Sequence, residues 1–471
     1  MFKSIKFFQQ ITGLLLLGLF VVGCSSSSDD PAPVAAVPTS TMSSKISVDP
    51  LTRLVTAEVI GSGFTSTNAH IHAGAAGTTG GVIVQLVQDG TDPNKWASGD
   101  GARLTEDQYS AYLAGATYFN IHSAANPAGE VRTQIDPITI DTSNVVIDGV
   151  TGAASGFIEV SGFTPTVAHI HTGFAGSTGG VSVTLEADGT TAGRFNLPTG
   201  ASVTVSEYSA GQLYFNVHSA DFTAGHIREQ IVPAGIQVLG VEVTGTESVP
   251  EVTGGGSATA YITVNETSGA VDATLNLHNI SDSDDAHIHT GVAGVNGGVA
   301  QGFAGAAGDT TWTISGATLS AGNLAALLSG ETYVNVHTVT NGGGEARGQI
   351  LPSGVAMARS VLTAADAQSS GSNASGTSTG TAVGYITVNQ NVIPATIKAN
   401  LTYSGVTATA AHVHTDNGGG VVKNLAPAAG SGSVSDTLTT TQVSEFNTGQ
   451  FYFNLHTAAN PGGELRGQIE P

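Results

Sequence analysis

The sequence predicts an all-β protein made of four tandem copies of one domain, each folded as a β-sandwich or a barrel. Three short motifs recur four times in a fixed order. Runs of β-branched and aromatic residues are short and are bounded by Gly, Asn and Asp. Gly, Thr, Ser, Ala and Val dominate and only 11% of residues are charged, which is typical of a secreted all-β protein.

The repeated motifs define four units. Each unit contains Ala-His-x-His with a glycine-rich segment after it, then Tyr-x-Asn-x-His, and finally Gly-x-x-Arg-x-Gln-Ile. Self-similarity of this kind indicates tandem copies of one structural unit. Units 3 and 4 are longer at their starts, where both contain Tyr-Ile-Thr-Val-Asn. Residues 366–380 are low in complexity and are predicted to form a loop or spacer. The units are unit 1 (41–137), unit 2 (138–234), unit 3 (236–352) and unit 4 (355–471).

A short helix is expected before the Tyr-x-Asn-x-His strand, in stretches such as 104–109 and 319–328. Thr105 and Ser320 are suitable N-caps, because their hydroxyls can accept hydrogen bonds from the first free backbone N–H groups. Gly115 and Gly330 are suitable helix stops. The remaining runs follow a period of two and are predicted to be strands.

Strand alternation places the polar residues of the repeated motifs on shared faces. His70 and His72 lie two positions apart and therefore project together, while Ala69 and Ile71 point to the other side. By the same argument His122 shares a face with Tyr118 and Asn120, and Arg132 shares one with Glu130 and Gln134. Twelve of the fourteen histidines belong to this pattern, and only His226 and His278 do not.

Three histidines per unit suggest a metal site. A His-x-His pair on one strand and a third histidine on another can hold copper or zinc, since imidazole suits both metals. A network of neutral, hydrogen-bonded histidines is the structural alternative. The candidate ligands are His70, His72 and His122; His169, His171 and His218; His287, His289 and His337; and His412, His414 and His456.

A carboxylate that reached a metal-bound imidazole would orient the ring, and Glu130, Glu345 and Glu464 are the candidates. In unit 2 His226 replaces this glutamate. It could act as a fourth metal ligand, or the replacement could have little effect on the site if the glutamate forms only a surface ion pair with the arginine. Asp282, Asp284 and Asp285 form an acidic cluster without the spacing of a calcium loop, which predicts a solvated loop.

The motifs Ala-His-Ile-His-x-Gly, Tyr-x-Asn-x-His and Gly-Glu-x-Arg-Gly-Gln-Ile resemble those of the CHRD domain, first described in chordin. Glu247-Ser-Val-Pro250 and Tyr261-Ile-Thr-Val-Asn265 resemble the start of that domain. The resemblance covers nearly all of residues 41–471. It implies little about activity, and nothing in this sequence supports carrying over the growth-factor antagonism of chordin.

The CHRD domain is also distantly similar to copper-zinc superoxide dismutases. That similarity implies an immunoglobulin-like or superoxide-dismutase-like Greek-key β-sandwich for each unit. It would match the three histidines of a unit to copper ligands and one arginine to the residue that guards the substrate channel. The chain departs from the dismutases because it lacks the bridging histidine, the zinc loop and the structural disulfide. The arginines are Arg132, Arg228, Arg347 and Arg466.

The N-terminus is predicted to be a lipoprotein signal peptide (1–23) followed by a flexible tether (24–40). Lys3 and Lys6 precede an apolar run at 11–22, which is too short to span a bilayer comfortably. The segment Val21-Val22-Gly23-Cys24 resembles a bacterial lipobox, and Cys24 is the only cysteine of the chain. Ser25 follows it, which favours lipid attachment at the outer membrane, facing either the periplasm or the outside.

Composition narrows the possible functions. The net charge of −22 disfavours binding to nucleic acid. No nucleophile–base pair, phosphate loop or catalytic carboxylate pair stands out, so hydrolases and transferases lack support. Three hypotheses remain: a non-enzymatic cell-envelope protein that binds copper or zinc, a structural or adhesive module for a protein or polysaccharide partner, and a dismutase-like copper enzyme. We expect the first.

Overall fold

The computed structural model describes residues 39–370, 378–416, 419–428 and 430–471. The predicted signal peptide, Cys24 and nearly all of the tether lie outside the described residues. Each α-helix of the described residues has at most eight residues, which is far too short to cross a membrane.

Unit 1 contains seven strands and one helix. They form one continuous antiparallel sheet in the order β1-β2-β5-β4-β3-β6-β7. The elements are β1 (Thr41–Val48), β2 (Val55–Ser62), β3 (Ser66–Ala73), β4 (Val82–Gln88), β5 (Lys95–Ser98), α1 (Glu106–Leu113), β6 (Thr117–Ser123) and β7 (Val131–Gln134).

Unit 2 has shorter strands, which form two four-stranded sheets and a small hairpin. The elements are β8 (Thr139–Asp141), β9 (Val146–Ile147), β10 (Ala154–Ser155), β11 (Phe157–Ser161), β12 (Pro165–Thr172), β13 (Val181–Thr184), β14 (Glu186–Ala187), β15 (Arg194–Asn196), α2 (Val205–Ser209), β16 (Leu213–Ser219) and β17 (Ile227–Ile231).

Units 3 and 4 each have eight strands, and their extra length at the start supplies one further strand. Unit 3 consists of β18 (Ile236–Thr244), a 3-10 turn (Gly245–Glu247), β19 (Ser257–Asn265), β20 (Ala270–His278), β21 (Ser283–Thr290), β22 (Val299–Gly302), β23 (Thr311–Thr318), α3 (Ala321–Leu328), β24 (Thr332–Thr338) and β25 (Ala346–Ile350). Unit 4 consists of β26 (Val355–Leu362), α4 (Ala364–Ser369), β27 (Thr381–Asn389), β28 (Ala395–Ser404), β29 (Ala408–Thr415), β30 (Val421–Ala428), β31 (Ser431–Leu438), α5 (Thr440–Asn447), β32 (Phe451–Thr457) and β33 (Leu465–Ile469).

The connectivity is a Greek key. In unit 1, β3, β4 and β5 follow one another as antiparallel neighbours, and the chain then returns through α1 to place β6 beside β3. Unit 4 repeats this order with β29, β30, β31 and β32. The resulting spatial order, with the fourth strand beside the first, defines a Greek key. The all-β prediction is therefore confirmed.

The short helices begin and end where their residues predicted. Thr105 caps α1 in a capping box with Gln108, and Ser320 caps α3 by accepting from the N–H of Asn323. Gly115 and Gly330 follow with positive φ angles of 67° and 72°. The loop prediction for 366–380 was wrong at its start, because residues 366–369 belong to α4, whose N-cap Thr363 accepts a hydrogen bond from the N–H of Asp366. Residues 371–377 of the predicted loop lie outside the described residues.

Alternating residues of the strands build the core. Units 3 and 4 each enclose their own cluster of buried apolar side chains, whereas those of units 1 and 2 form one continuous cluster. Ala69 and Ile71 are 0% and 2% exposed, so the side of β3 opposite the histidines is the core side. The polar face of each unit is thereby held on a rigid sheet.

Candidate metal centre

Two neighbouring strands bring the three histidines of each unit together. In unit 1, β3 pairs with β6 so that His70 lies opposite Asn120 and His72 lies opposite Tyr118. His122 lies opposite Asn68 on the same face. One nitrogen of each histidine lies within 4.8 Å of a nitrogen of the other two, and this holds for all four predicted triads.

A β-bulge marks the second histidine of every triad. The pairing of β3 with β4 shifts register between Ile71 and His72. The same shift occurs immediately before His171, His289 and His414. Bulges re-aim side chains and are common beside functional sites. The extra residue belongs to the neighbouring strand (Ile83 of β4 in unit 1), and the same irregularity recurs opposite the second histidine of all four units.

The nitrogens of the triad face one another. Nδ1 of His70 lies 3.0 Å from Nε2 of His122. The corresponding distances are 3.2 Å in unit 2 and 2.9 Å in unit 4. Nε2 of His72 is buried and has no hydrogen-bond partner among the described residues, and the same is true of His171, His289 and His414. An unpartnered buried nitrogen is costly, and a metal ion in this position would satisfy it.

Backbone carbonyl groups set the tautomers of two rings in each triad. Nδ1 of His72 lies 3.0 Å from the carbonyl oxygen of Gly80, and Nδ1 of His122 lies 2.9 Å from that of Pro127. A carbonyl can only accept, so Nδ1 carries the proton and donates in both rings. This leaves Nε2 of both rings as a lone pair directed at the centre, which is the form that binds a metal. The other units repeat both contacts.

A tyrosine ring stacks on the second histidine of each triad, and an arginine lies over that tyrosine. The ring of Tyr118 stacks on that of His72, with centroids 5.0 Å apart and planes inclined by 8°. The guanidinium carbon of Arg132 lies 3.5 Å from the ring centroid of the same tyrosine and makes a cation–π contact with it. All four units repeat this stack of histidine, tyrosine and arginine. The tyrosine was missed as a site residue, although its place in Tyr-x-Asn-x-His was visible in the sequence.

The arginines clamp the glycine-rich loop. Arg132 donates to the carbonyl oxygens of Ala75, at 2.9 Å, and Thr78. Arg228 and Arg347 hold the equivalent loops of units 2 and 3 in the same way. In unit 4 the loop is shorter and Arg466 binds the carboxylate of Asp416 at 2.7 Å instead. In units 1 to 3 the guanidinium thus fixes the loop whose carbonyl orients the histidine, and the role beside a substrate channel stays a prediction.

The glutamates also act on a turn and not on an imidazole. Glu130 accepts hydrogen bonds from Ser123, at 2.7 Å, and from Asn126. Glu345 and Glu464 bind the equivalent threonine and asparagine in units 3 and 4. The expectation that they orient a metal-bound ring is wrong, because backbone carbonyls occupy that place. The carboxylate instead braces the turn that carries the carbonyl of Pro127.

In unit 2 His226 faces away from the triad. Its Nε2 lies 2.7 Å from the carbonyl oxygen of Ile46 in unit 1. Its ring packs between Phe163 and Phe222, with centroid distances of 4.1 and 4.5 Å. His226 is therefore part of the contact between units 1 and 2, and the possibility of a fourth ligand is excluded by its position.

Unit 3 has one carboxylate that does reach the triad. Oδ2 of Asp285 lies 3.2 Å from Nε2 of His287. Asp285 lies in β21 two positions before that histidine, so strand alternation places both side chains on one face. The loop prediction was wrong for Asp284 and Asp285, which both lie in β21, although both side chains are exposed to solvent as expected. Nδ1 of His287 is buried without a hydrogen-bond partner among the described residues, which leaves it available to a metal.

The pKa of the first histidine of each triad is lowered from its ordinary value, mainly by burial. Burial lowers the pKa of His70, and the neighbouring His122 and His72 lower it further. Burial is also the largest cause for His169 and His287. It is again the largest cause for His412, whose pKa falls to about 4. Neutral imidazole is the metal-binding form, so these shifts favour binding over protonation.

The donor set fits copper or zinc. Three neutral imidazole nitrogens, two of them oriented by a carbonyl acceptor, are typical ligands of both metals. A hard cation such as magnesium would need oxygen ligands, which the triads do not supply. Three protein ligands would leave a further coordination position open to water or another small molecule.

Comparison with known proteins agrees with the repeated architecture. The family model described as the CHRD domain matches the chain four times, at residues 25–135, 142–231, 239–350 and 359–469. No curated protein matches the chain. The four matches cover most of the sequence, and each contains one complete histidine triad. The chain therefore belongs to the CHRD domain family, with four tandem copies of the domain.

Proposed function

We propose that this chain is a non-enzymatic, lipid-anchored protein of the cell envelope that binds copper or zinc at one triad per unit. One observation carries the metal-binding part: the same buried, unpartnered Nε2 recurs at His72, His171, His289 and His414. In each unit one nitrogen of each of the three imidazoles lies within 4.8 Å of the other two. A purely architectural network would be expected to satisfy these buried nitrogens with hydrogen bonds.

Copper or zinc would be held by the three imidazole nitrogens of a triad. When bound, the ion would supply a fixed positive centre with an open coordination position. The residues of the chain would keep the lone pairs aimed at it through the loop carbonyls, the Tyr118 stack and the Arg132 clamp of unit 1 and their counterparts.

The test is elemental analysis of full-length protein after reconstitution with Cu²⁺ or Zn²⁺. The variant His72→Ala/His171→Ala/His289→Ala/His414→Ala removes one ligand from every triad. The matched control is His226→Ala/His278→Ala, which changes the two histidines outside the triads. We expect close to one metal per unit in the wild type and in the control, and loss of metal from the fourfold variant.

A different outcome would point to the structural alternative. If the reconstituted wild type holds no copper or zinc while remaining folded, the histidines are architectural. The contacts between rings, such as that of His70 with His122, would then be hydrogen bonds of a polar network. The protein would in that case be a structural or adhesive module, and screening for a protein or polysaccharide partner would be the next step.

The lipid anchor is tested separately at Cys24. A Cys24→Ser variant should lose incorporation of radiolabelled fatty acid and should leave the membrane fraction. Protease treatment of whole cells would then distinguish an outward-facing from a periplasm-facing protein. Retention of the label in the variant would exclude Cys24 as the attachment site.

A further inference from the structure

The glycine-rich loops of units 2 and 3 are wedged against the following unit, whereas that of unit 1 is not. A Cβ atom added at Gly176 would lie 2.6 Å from a ring carbon of Tyr261 in unit 3. A Cβ atom at Gly294 would lie 2.4 Å from a ring carbon of Tyr385 in unit 4. The equivalent position in unit 1, Gly77, has nothing within 4 Å. Two loops thus make the same contact with an aromatic ring of their neighbour.

The burial of one loop alanine shows the same difference. Ala175 is 3% exposed and Ala293 is 2% exposed, whereas the matching Ala76 of unit 1 is exposed. In unit 3 the contact includes a hydrogen bond of 2.6 Å from the side chain of Asn400 to the carbonyl oxygen of Ala293. The arginine that clamps this loop, Arg347, is only 1% exposed.

These loops carry the carbonyl groups that orient the second histidine of the triad. The carbonyl oxygen of Gly179 lies 2.9 Å from Nδ1 of His171, and that of Gly297 lies 3.1 Å from Nδ1 of His289. The contact with the next unit and the contact with the histidine therefore lie on the same short loop. A rigid loop fixes the imidazole, and partners of this kind typically alter metal affinity by about 10–100-fold.

We propose that Tyr261 and Tyr385 are positioning residues for the metal sites of the preceding units. Tyr261 restrains the loop of unit 2 and Tyr385 restrains that of unit 3, so each site is completed by its neighbour. The pentapeptide Tyr-Ile-Thr-Val-Asn occurs only in units 3 and 4, which are the units that receive such a loop. By linkage, metal bound in unit 2 or 3 strengthens the docking of the next unit. This inference rests on the proposed metal binding.

The experiment isolates one triad at a time in the full-length protein. A site-2 protein carries His72→Ala/His289→Ala/His414→Ala, and a site-1 protein carries His171→Ala/His289→Ala/His414→Ala. Zn²⁺ affinity is measured by calorimetry in both proteins, with Tyr261, with Tyr261→Ala and with Tyr261→Phe. The phenylalanine keeps the ring on Gly176 and removes only the hydroxyl contacts with Thr52 and Asp49.

Tyr261→Ala should weaken Zn²⁺ binding about tenfold in the site-2 protein and leave the site-1 protein unchanged. Tyr261→Phe should restore the affinity. Equal weakening in both proteins, or no weakening in either, would overturn the positioning role while leaving metal binding intact. No Zn²⁺ binding to the site-2 protein with Tyr261 present would overturn the proposed function itself.

A milder variant covers the case in which Tyr261→Ala does not fold. Asn400→Ala removes the hydrogen bond to Ala293 and leaves the ring of Tyr385 in place. In a site-3 protein (His72→Ala/His171→Ala/His414→Ala) it should weaken Zn²⁺ binding several-fold and should not affect the site-1 protein. Unchanged affinity of the site-3 protein would count against the proposal.

Discussion

Glu247 offers a stability prediction whose size can be worked from the structure. It ends the 3-10 turn after β18, and its Oε2 accepts a hydrogen bond of 3.0 Å from the backbone N–H of Gln349. Burial raises the pKa of this carboxyl from 4.5 to about 7, against the opposing effects of that hydrogen bond and of Arg347. The folded state therefore holds a proton that the unfolded chain has already lost above pH 4.5.

Proton linkage sets the direction in which the stability of the folded state changes with pH. A raised carboxyl pKa stabilises the folded state fully below pH 4.5, and this contribution is lost as the pH rises toward 7. A shift from 4.5 to about 7 corresponds to about 3 kcal/mol, of which about 2 kcal/mol is lost between pH 5 and pH 8. Glu247 keeps some contact with solvent, so these values are upper bounds. Glu247→Gln should remove this pH dependence, because an amide does not titrate. The amide oxygen can still accept the hydrogen bond from the N–H of Gln349.

The assay is urea unfolding of unit 3 at pH 5 and pH 8, followed by the fluorescence of Trp312. This tryptophan is 2% exposed in the core of unit 3, and Trp96→Phe silences the other tryptophan of the chain. The variant should gain stability over the parent at pH 8 and much less at pH 5. Glu266→Gln, at an exposed acid of the same unit, is the control. Parallel pH curves for parent and Glu247→Gln would show that Glu247 does not cause the loss of stability between pH 5 and pH 8.

Three further predictions concern the supports of the triads and their units. Arg132→Met removes the clamp on the loop of unit 1, and it should weaken Zn²⁺ binding of the site-1 protein by about tenfold in calorimetry. Glu464→Gln should destabilise unit 4 by about 1–2 kcal/mol in chemical unfolding, because it weakens the bonds from Thr457 and Asn460. The turn that Glu464 braces carries the Pro461 carbonyl beside His456, so the same variant should at most weaken Zn²⁺ binding in unit 4 and should still reach full metal content at saturating Zn²⁺. Thr105→Ala removes the capping box of α1 and should cost unit 1 about 1 kcal/mol, read from Trp96 fluorescence.

The sequence was sufficient for features that depend on near neighbours. The alternation of β-strands placed His70 and His72 on one face and Ile71 on the other, because successive side chains of a strand point in opposite directions. Helix caps depend on three or four consecutive residues, so Thr105 and Ser320 could be recognised directly. Repetition of the same spacing in four units then predicted four equivalent triads, and the structure groups the twelve histidines into these four triads.

The structure corrected the roles of residues whose partners are distant in sequence. Glu130 shares a face with Arg132, but whether its carboxylate reaches an imidazole or a turn depends on the path of the chain between β6 and β7. The sequence likewise predicted the polar stripe but not the stack of His72, Tyr118 and Arg132, which requires the register of three strands. Asp284 and Asp285 were misjudged because their cluster was compared only with the spacing of a calcium loop, whereas β21 begins at Ser283 and includes both.

Periodicity and repetition in the amino-acid sequence were enough to predict the repeated all-β unit, its three strands with polar faces and its histidine triad. The unpartnered nitrogens, the carbonyls that orient the rings and the loops that dock on the next unit became visible only in the folded chain. Those features are set by contacts between residues tens of positions apart, such as Gly176 with Tyr261. Such contacts depend on strand register, loop path and the packing of one unit on another, none of which is encoded in a local pattern.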